Sequence, residues 1–101
     1  MRRLTAINGE ATVRYFRRPW AESRGDQWDR WGTSIWYFEV GPDLVPIRQI
    51  EVYERGPTLR YGPDHSEDEY SALSYLPIGN YDDWSEWEIP ITEFEYAWAQ
   101  A

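Results

Sequence analysis

The chain has no cysteine, no lysine, one histidine and one methionine in 101 residues. Without cysteine, disulfide scaffolds, thiolate metal sites and cysteine nucleophiles are excluded. Nothing in the chain calls for oxidising conditions, so a cytoplasmic location is expected. All ten basic residues are arginine, which reads first as the codon bias of a GC-rich genome. Long hydrophobic runs are missing as well. No stretch approaches the roughly 18–20 apolar residues of a membrane span, and MRRLTAINGEATVRYF holds no apolar run of signal-peptide length. Base is missing from the last two-fifths: residues 62–101 carry ten acids and no arginine, whereas residues 1–30 carry seven Arg and four acids. A net charge of −8 and a pI near 4.5 make a poor nucleic-acid binder and favour a basic protein or a cation. The same acids could simply keep an aromatic-rich surface soluble.

Aromatic residues are what the chain has in excess: seven Trp, eight Tyr and three Phe. Each ring buries a large area, and the polar tips of Tyr and Trp suit half-exposed positions. The rings therefore build the core or line a concave surface open to a ligand. A chain of this length is one domain, residues 1–101, able to bury roughly two-thirds of its unfolded surface.

The centre of the chain, residues 31–61, reads as three strands: Ser34–Val40, 47–54 and Thr58–Tyr61. Gly41-Pro42-Asp43 and Arg55-Gly56-Pro57 supply the turns. The continuous run Ile35-Trp36-Tyr37-Phe38 suggests a strand covered on both faces, inside the sheet. In the second strand Ile47, Gln49, Glu51 and Tyr53 alternate with Arg48, Ile50, Val52 and Glu54. Ile50 and Val52 are expected to reach the core, with Arg48 at the rim beside a carboxylate.

Residues 1–11 read as weakly ordered. Residues 11–16 read as an edge strand that Arg17-Arg18-Pro19 ends. Trp28 and Trp31 are spaced for one helical turn, bracketed by Gly25 and Gly32. Residues 62–83 form a long connection rich in turn formers and acids, with room for a helical turn around residues 67–74. Thr92-Glu93-Phe94-Glu95 matches a capping box, which predicts a C-terminal helix with Phe94, Ala97, Trp98 and Ala101 on one face. The expected fold is α+β: a mainly antiparallel sheet of about four or five strands, with that helix packed on one face.

The strings DRWGTSIWYFEV, RQIEVYERGPTLRYGPDHSEDEY and a terminal I-T-x-x-F-E-x-x-W resemble a small domain family of actinobacteria. The likeness runs from about Trp20 to Trp98. It implies a free-standing bacterial protein, and it brings no activity, substrate or catalytic residue with it.

Two constellations stand out. His65, the sole histidine, lies among Asp64, Ser66, Glu67, Asp68 and Glu69, next to Tyr70. A metal or general-base site would need such groups, but the spacing matches neither a calcium loop nor a zinc set, so a solvated acidic loop is the plainer reading. A serine nucleophile served by His65 would come from Ser34, Ser66, Ser71 or Ser74, none in a nucleophile elbow. Arg24, Arg48 and Arg60 sit among Trp20, Trp28, Trp31, Trp36, Tyr53 and Tyr61. Such arginines hold an anion between ring walls, or pair internally with the acids and stack on rings. A pocket, if formed, belongs between the first hairpin and the acidic loop. Arg24-Gly25-Asp26 matches an adhesion tripeptide, a match too short to carry weight. No phosphate loop, dinucleotide fingerprint or other cofactor motif is present.

Two function classes follow. One is a non-catalytic interaction module, of immunity or inhibitor type, that docks a basic partner through the acidic aromatic segment 62–88. The other is a small-ligand or enzymatic domain built on the arginines, Trp31, Tyr61 and His65. Oligomeric state is open at the level of sequence.

Overall fold

A computed structural model describes residues 12–101, so the expectation for residues 1–11 lies outside the described residues. Four strands form one antiparallel meander: β1 Arg14–Trp20, β2 Ser34–Val40, β3 Pro46–Tyr53 and β4 Thr58–Tyr61, in that spatial order. A short helix α1, Tyr81–Trp84, runs into a 3₁₀ turn Ser85–Trp87, and helix α2 spans Ile91–Gln100. The architecture is α+β with the C-terminal helix on one face.

Strand β1 does not stop at Arg17 as the sequence suggests. It continues through Arg18 and Pro19 to Trp20. Proline survives there because, among the described residues, the outer side of β1 is paired only near Tyr15 and Phe16, by Glu88 and Ile89, and not at Pro19. The helical turn expected near Trp28 is a 3₁₀ turn at Asp29–Trp31, and it stacks the Trp28 and Trp31 rings 5.0 Å apart. The turn expected at 67–74 is absent. That stretch is an irregular loop pinned by bridges Gly62↔His65 and Glu67↔Ala72, and the helical turn lies later, at α1. In the β3–β4 turn, Gly56 is needed for close approach: a Cβ there would sit 2.5 Å from the Trp31 ring.

Register assigns the side chains to two faces. Phe16, Phe38, Gln49 and Tyr61 form one cross-strand row, with Arg18, Trp36, Glu51 and Leu59 in the next. The opposite face carries Tyr15, Glu39 and Arg48, then Arg17, Tyr37, Ile50 and Arg60. Helix α2 packs on this second face. A ten-residue helix is marginal alone, so docking is what holds it. Phe94 is fully buried, 5.3 Å from the Tyr15 ring, and burying such a ring contributes about 1.5–3 kcal/mol.

Arg48 ties helix to sheet. Its Nε donates to Glu39 at 2.6 Å and its Nη2 to Glu95 at 2.6 Å, while the guanidinium lies 4.9 Å from both the Phe94 and Trp98 centroids. The bonds to Glu39 and then Glu95 hold its pKa well above the ordinary arginine value. Glu95 is therefore spent on Arg48, and the expected capping box does not form. Pro90 occupies the N-cap, Thr92 is inside the helix, and the cap has no side-chain hydrogen bond.

Two substitutions separate these roles. Thr92→Ala should cost less than about 0.5 kcal/mol in urea unfolding, where a capping hydroxyl would cost about 1 kcal/mol. Arg48→Ala should cost about 3–5 kcal/mol, since it leaves the half-buried Glu39 carboxylate unpaired. A loss below about 1 kcal/mol for Arg48→Ala would mean that the helix is held by Phe94 alone.

Candidate functional site

The first sheet face carries Gln49 and Glu51, which the alternation of β3 would leave to solvent. Both are buried, at 1% and 0% exposure. The chain covers them with two segments, the 24–31 loop and the connection 62–88. These build two apolar clusters. One joins Phe16, Phe38, Val40 and Trp84, with Trp36, Leu44, Ile78 and Trp87 packed on it. The other joins Trp31, Tyr53, Leu59 and Tyr61, with Trp28, Tyr70 and Leu73.

A buried carboxylate needs every lone pair answered. Glu51 Oε1 accepts from Tyr53 OH at 2.5 Å, and Oε2 accepts from Gln49 Nε2 at 2.8 Å and Ser71 Oγ at 2.6 Å. Gln49 also donates to Ala72 O at 3.0 Å and accepts from Ser74 N at 3.0 Å. Positive charge stands one hydroxyl away, because Arg24 Nη1 donates to Tyr53 OH at 3.2 Å. Burial first, and then the bond to Glu51, push the Tyr53 pKa well above its ordinary value, so it remains a donor at neutral pH.

The two covering segments part above Trp36, leaving a cleft between the first hairpin and the 62–83 connection. One end, about 450 Å³, is lined mainly by Trp20, Trp36, Phe38, Leu76, Ile78 and Trp84. The other, about 320 Å³, is polar, with Glu22, Ser23, Arg24, Asp26, Ser34, Tyr53 and Ser71. Trp20 and Trp36 wall both ends. Arg18 lies 4.7 Å from the Trp84 centroid and 5.9 Å from that of Trp20.

The residues singled out from sequence are divided between the faces. Arg24, Trp31 and Tyr70 come together beside Tyr53: the Arg24 guanidinium is 5.3 Å from the Trp31 centroid and its Nη2 donates to Tyr70 O. Arg24 Nε bonds Asp26 at 3.0 Å, so both charges of the Arg-Gly-Asp tripeptide are spent on each other. Arg48 and Arg60 stand on the opposite face, lining a cavity of about 500 Å³ with Asp64, His65 and Trp98. The one Arg/aromatic cluster suggested by sequence is thus two. Arg60 Nη1 donates to Trp98 O at 2.8 Å and its guanidinium lies 4.7 Å from that ring.

His65 stacks on Tyr61 at 5.5 Å and meets Asp68 at 3.3 Å. No serine bonds it among the described residues. Asp68 shapes the loop: Oδ1 accepts from Tyr61 OH, Tyr70 N and Ser71 N. Burial opposes its charge, but these bonds outweigh it and lower its pKa. Glu67 and Glu69 are exposed and form no ion pair among the described residues. Among the described residues no group of three or more acidic or histidine side chains is placed to hold a metal.

The residues that sequence reasoning missed are Gln49, Glu51 and Trp84, while Ser71 and Ser74, considered there only as nucleophiles, bond Glu51 and Gln49 instead. The available signal was the apolar content of the connection, Tyr70, Leu73 and Ile78, which must cover something. Comparison with family models, with curated proteins and with solved structures returns no match.

Glu51→Gln keeps the shape but sets an amide against donors. It should cost about 1–3 kcal/mol and speed hydrogen exchange at Ser74 N; unchanged exchange there would disprove the latch. Asp68 has a folded pKa below its unfolded value near 3.8. Its contribution is complete above that value and is lost as pH falls through the lowered one. Asp68→Asn should therefore flatten stability against pH below 3.8, and an unaltered acid limb would refute the assignment.

Proposed function

We propose that the protein is a non-catalytic interaction module, of inhibitor or immunity type, that docks a basic protein through segment 62–88. The observation that carries this reading is the pair Tyr75 and Leu76, 85% and 58% exposed, side by side in the acidic segment. Around them in sequence Asp64, Glu67, Glu69, Asp82, Asp83 and Glu86 are exposed and make no ion pair among the described residues, whereas Glu88 is paired with Arg14 at 3.0 Å. An apolar anchor in a segment rich in acid and free of base fits a partner of opposite charge: the ring supplies affinity and the field supplies approach rate. The irregular backbone of 62–80 is pinned to the sheet through Gln49 and Glu51, so the anchor is presented on a fixed scaffold and little ordering is needed on binding. The cysteine-free composition supports a cytoplasmic setting, and the all-arginine base supports a bacterium with a GC-rich genome. No helix among the described residues is long and apolar enough to cross a membrane.

The test is capture from an actinobacterial lysate at low salt and at about 1 M salt, where the Debye length is near 3 Å. The captured protein is then purified for titration. The expected result is a basic protein held only at low salt, with Tyr75→Ala weakening it at least about tenfold. Binding that ignores both salt and Tyr75→Ala would overturn the reading.

A further inference from the structure

We infer that the cleft floored by Trp36 binds a neutral glycoside, its hydroxylated ring at the Arg24–Ser34 end and its apolar aglycone among Trp20, Phe38 and Trp84. Trp36 lies on an inner strand, where a covered sheet face is normally closed. Here the Trp36 ring packs on the Phe16 and Phe38 cluster and stacks on Phe38 at 5.9 Å, yet it stays only half-buried. Both ends of the cleft fall within the roughly 300–1,000 Å³ of small-molecule sites.

The polar end holds hydrogen-bonding capacity that the chain does not use. Ser34 is 6% exposed and accepts from Trp36 Nε1 at 2.8 Å, but its own hydroxyl proton has no acceptor among the described residues. A buried donor of this kind costs stability unless something answers it. Arg24 uses Nε, Nη1 and Nη2 once each, leaving further N–H groups on the two terminal nitrogens. Glu22 is exposed, has no partner among the described residues and, ionised, can only accept.

Charge decides the ligand class. Asp26 neutralises Arg24 and Glu22 repels an anion, while an ammonium group, a donor only, cannot answer the Ser34 hydroxyl proton or the spare Arg24 N–H groups. A set that offers donors and acceptors together, without net positive charge, suits hydroxyls, which do both. The indole walls suit the C–H face of a sugar ring and an apolar group beyond it.

The test is titration followed by tryptophan fluorescence and calorimetry. The probes are the phenyl α- and β-glycosides of glucose and galactose, with phenol and the matching methyl glycosides as half-ligands. At least one phenyl glycoside should bind about tenfold or more tightly than either half. Trp20→Ala, at a half-exposed strand end, should weaken it by a similar factor with the circular dichroism spectrum unchanged. Ser34→Ala should weaken the glycoside and not phenol. Failure of all four phenyl glycosides, binding no tighter than phenol, or indifference to Trp20→Ala would each overturn the inference. Tyr75→Ala should leave glycoside binding intact, so this proposal and the docking proposal fail separately.

Discussion

Glu51 imposes the constraint on which most of the molecule depends. A carboxylate at zero exposure in the middle of a sheet must have donors brought to it. Two come from its own strand, Gln49 and Tyr53, and the third, Ser71, comes from the long connection. Gln49 then fixes Ala72 and Ser74 on the same strand. The path of residues 71–74 is thus set by hydrogen bonds to β3, and the apolar clusters form on either side of that seam. Replacing this network by packed apolar groups would leave a closed core. With it, the cover divides and Trp36 stays open.

The other face is organised by cations. Arg48 bridges β2 and α2 through Glu39 and Glu95 and lies between the rings of Phe94 and Trp98. Arg60 stacks on the same Trp98 ring from the edge strand. A chain without lysine suits this design, because a planar guanidinium can stack on a ring while bonding carboxylates in its plane. The two faces therefore differ in kind: one is tied to its helix by ring-stacked arginine, the other is held by a polar seam and left partly open. Surplus acid, having few bases to meet, is left exposed along 62–88, the segment that also exposes Tyr75 and Leu76.

Much of the fold was legible. Alternation and turn residues located β2, β3 and β4 within a residue or so, and the spacing of Phe94 and Trp98 placed a helix with its buried face correctly assigned. The capping box was misleading because Glu95 had a stronger partner in Arg48, 47 positions away in sequence. The end of β1 was misread because Pro19, which an edge strand tolerates, was taken as its stop, whereas pairing with Ile35 and Ser34 carries the strand on to Trp20. Arg24, Arg48 and Arg60 looked like one cluster because linear order does not say which sheet face each side chain takes.

By itself the sequence determined the antiparallel strands, the amphipathic helix, the acidic C-terminal two-fifths and the exclusion of cysteine chemistry. These follow from local periodicity, turn stereochemistry and charge count, all short-range properties of the chain. Only the tertiary structure decided that Gln49 and Glu51 face inwards, that Asp68 is a loop former, and that a cleft opens over Trp36. Polar residues on a strand carry no local mark of burial. Whether they meet water or partners depends on a segment some twenty residues away folding back over them, and that is settled by packing.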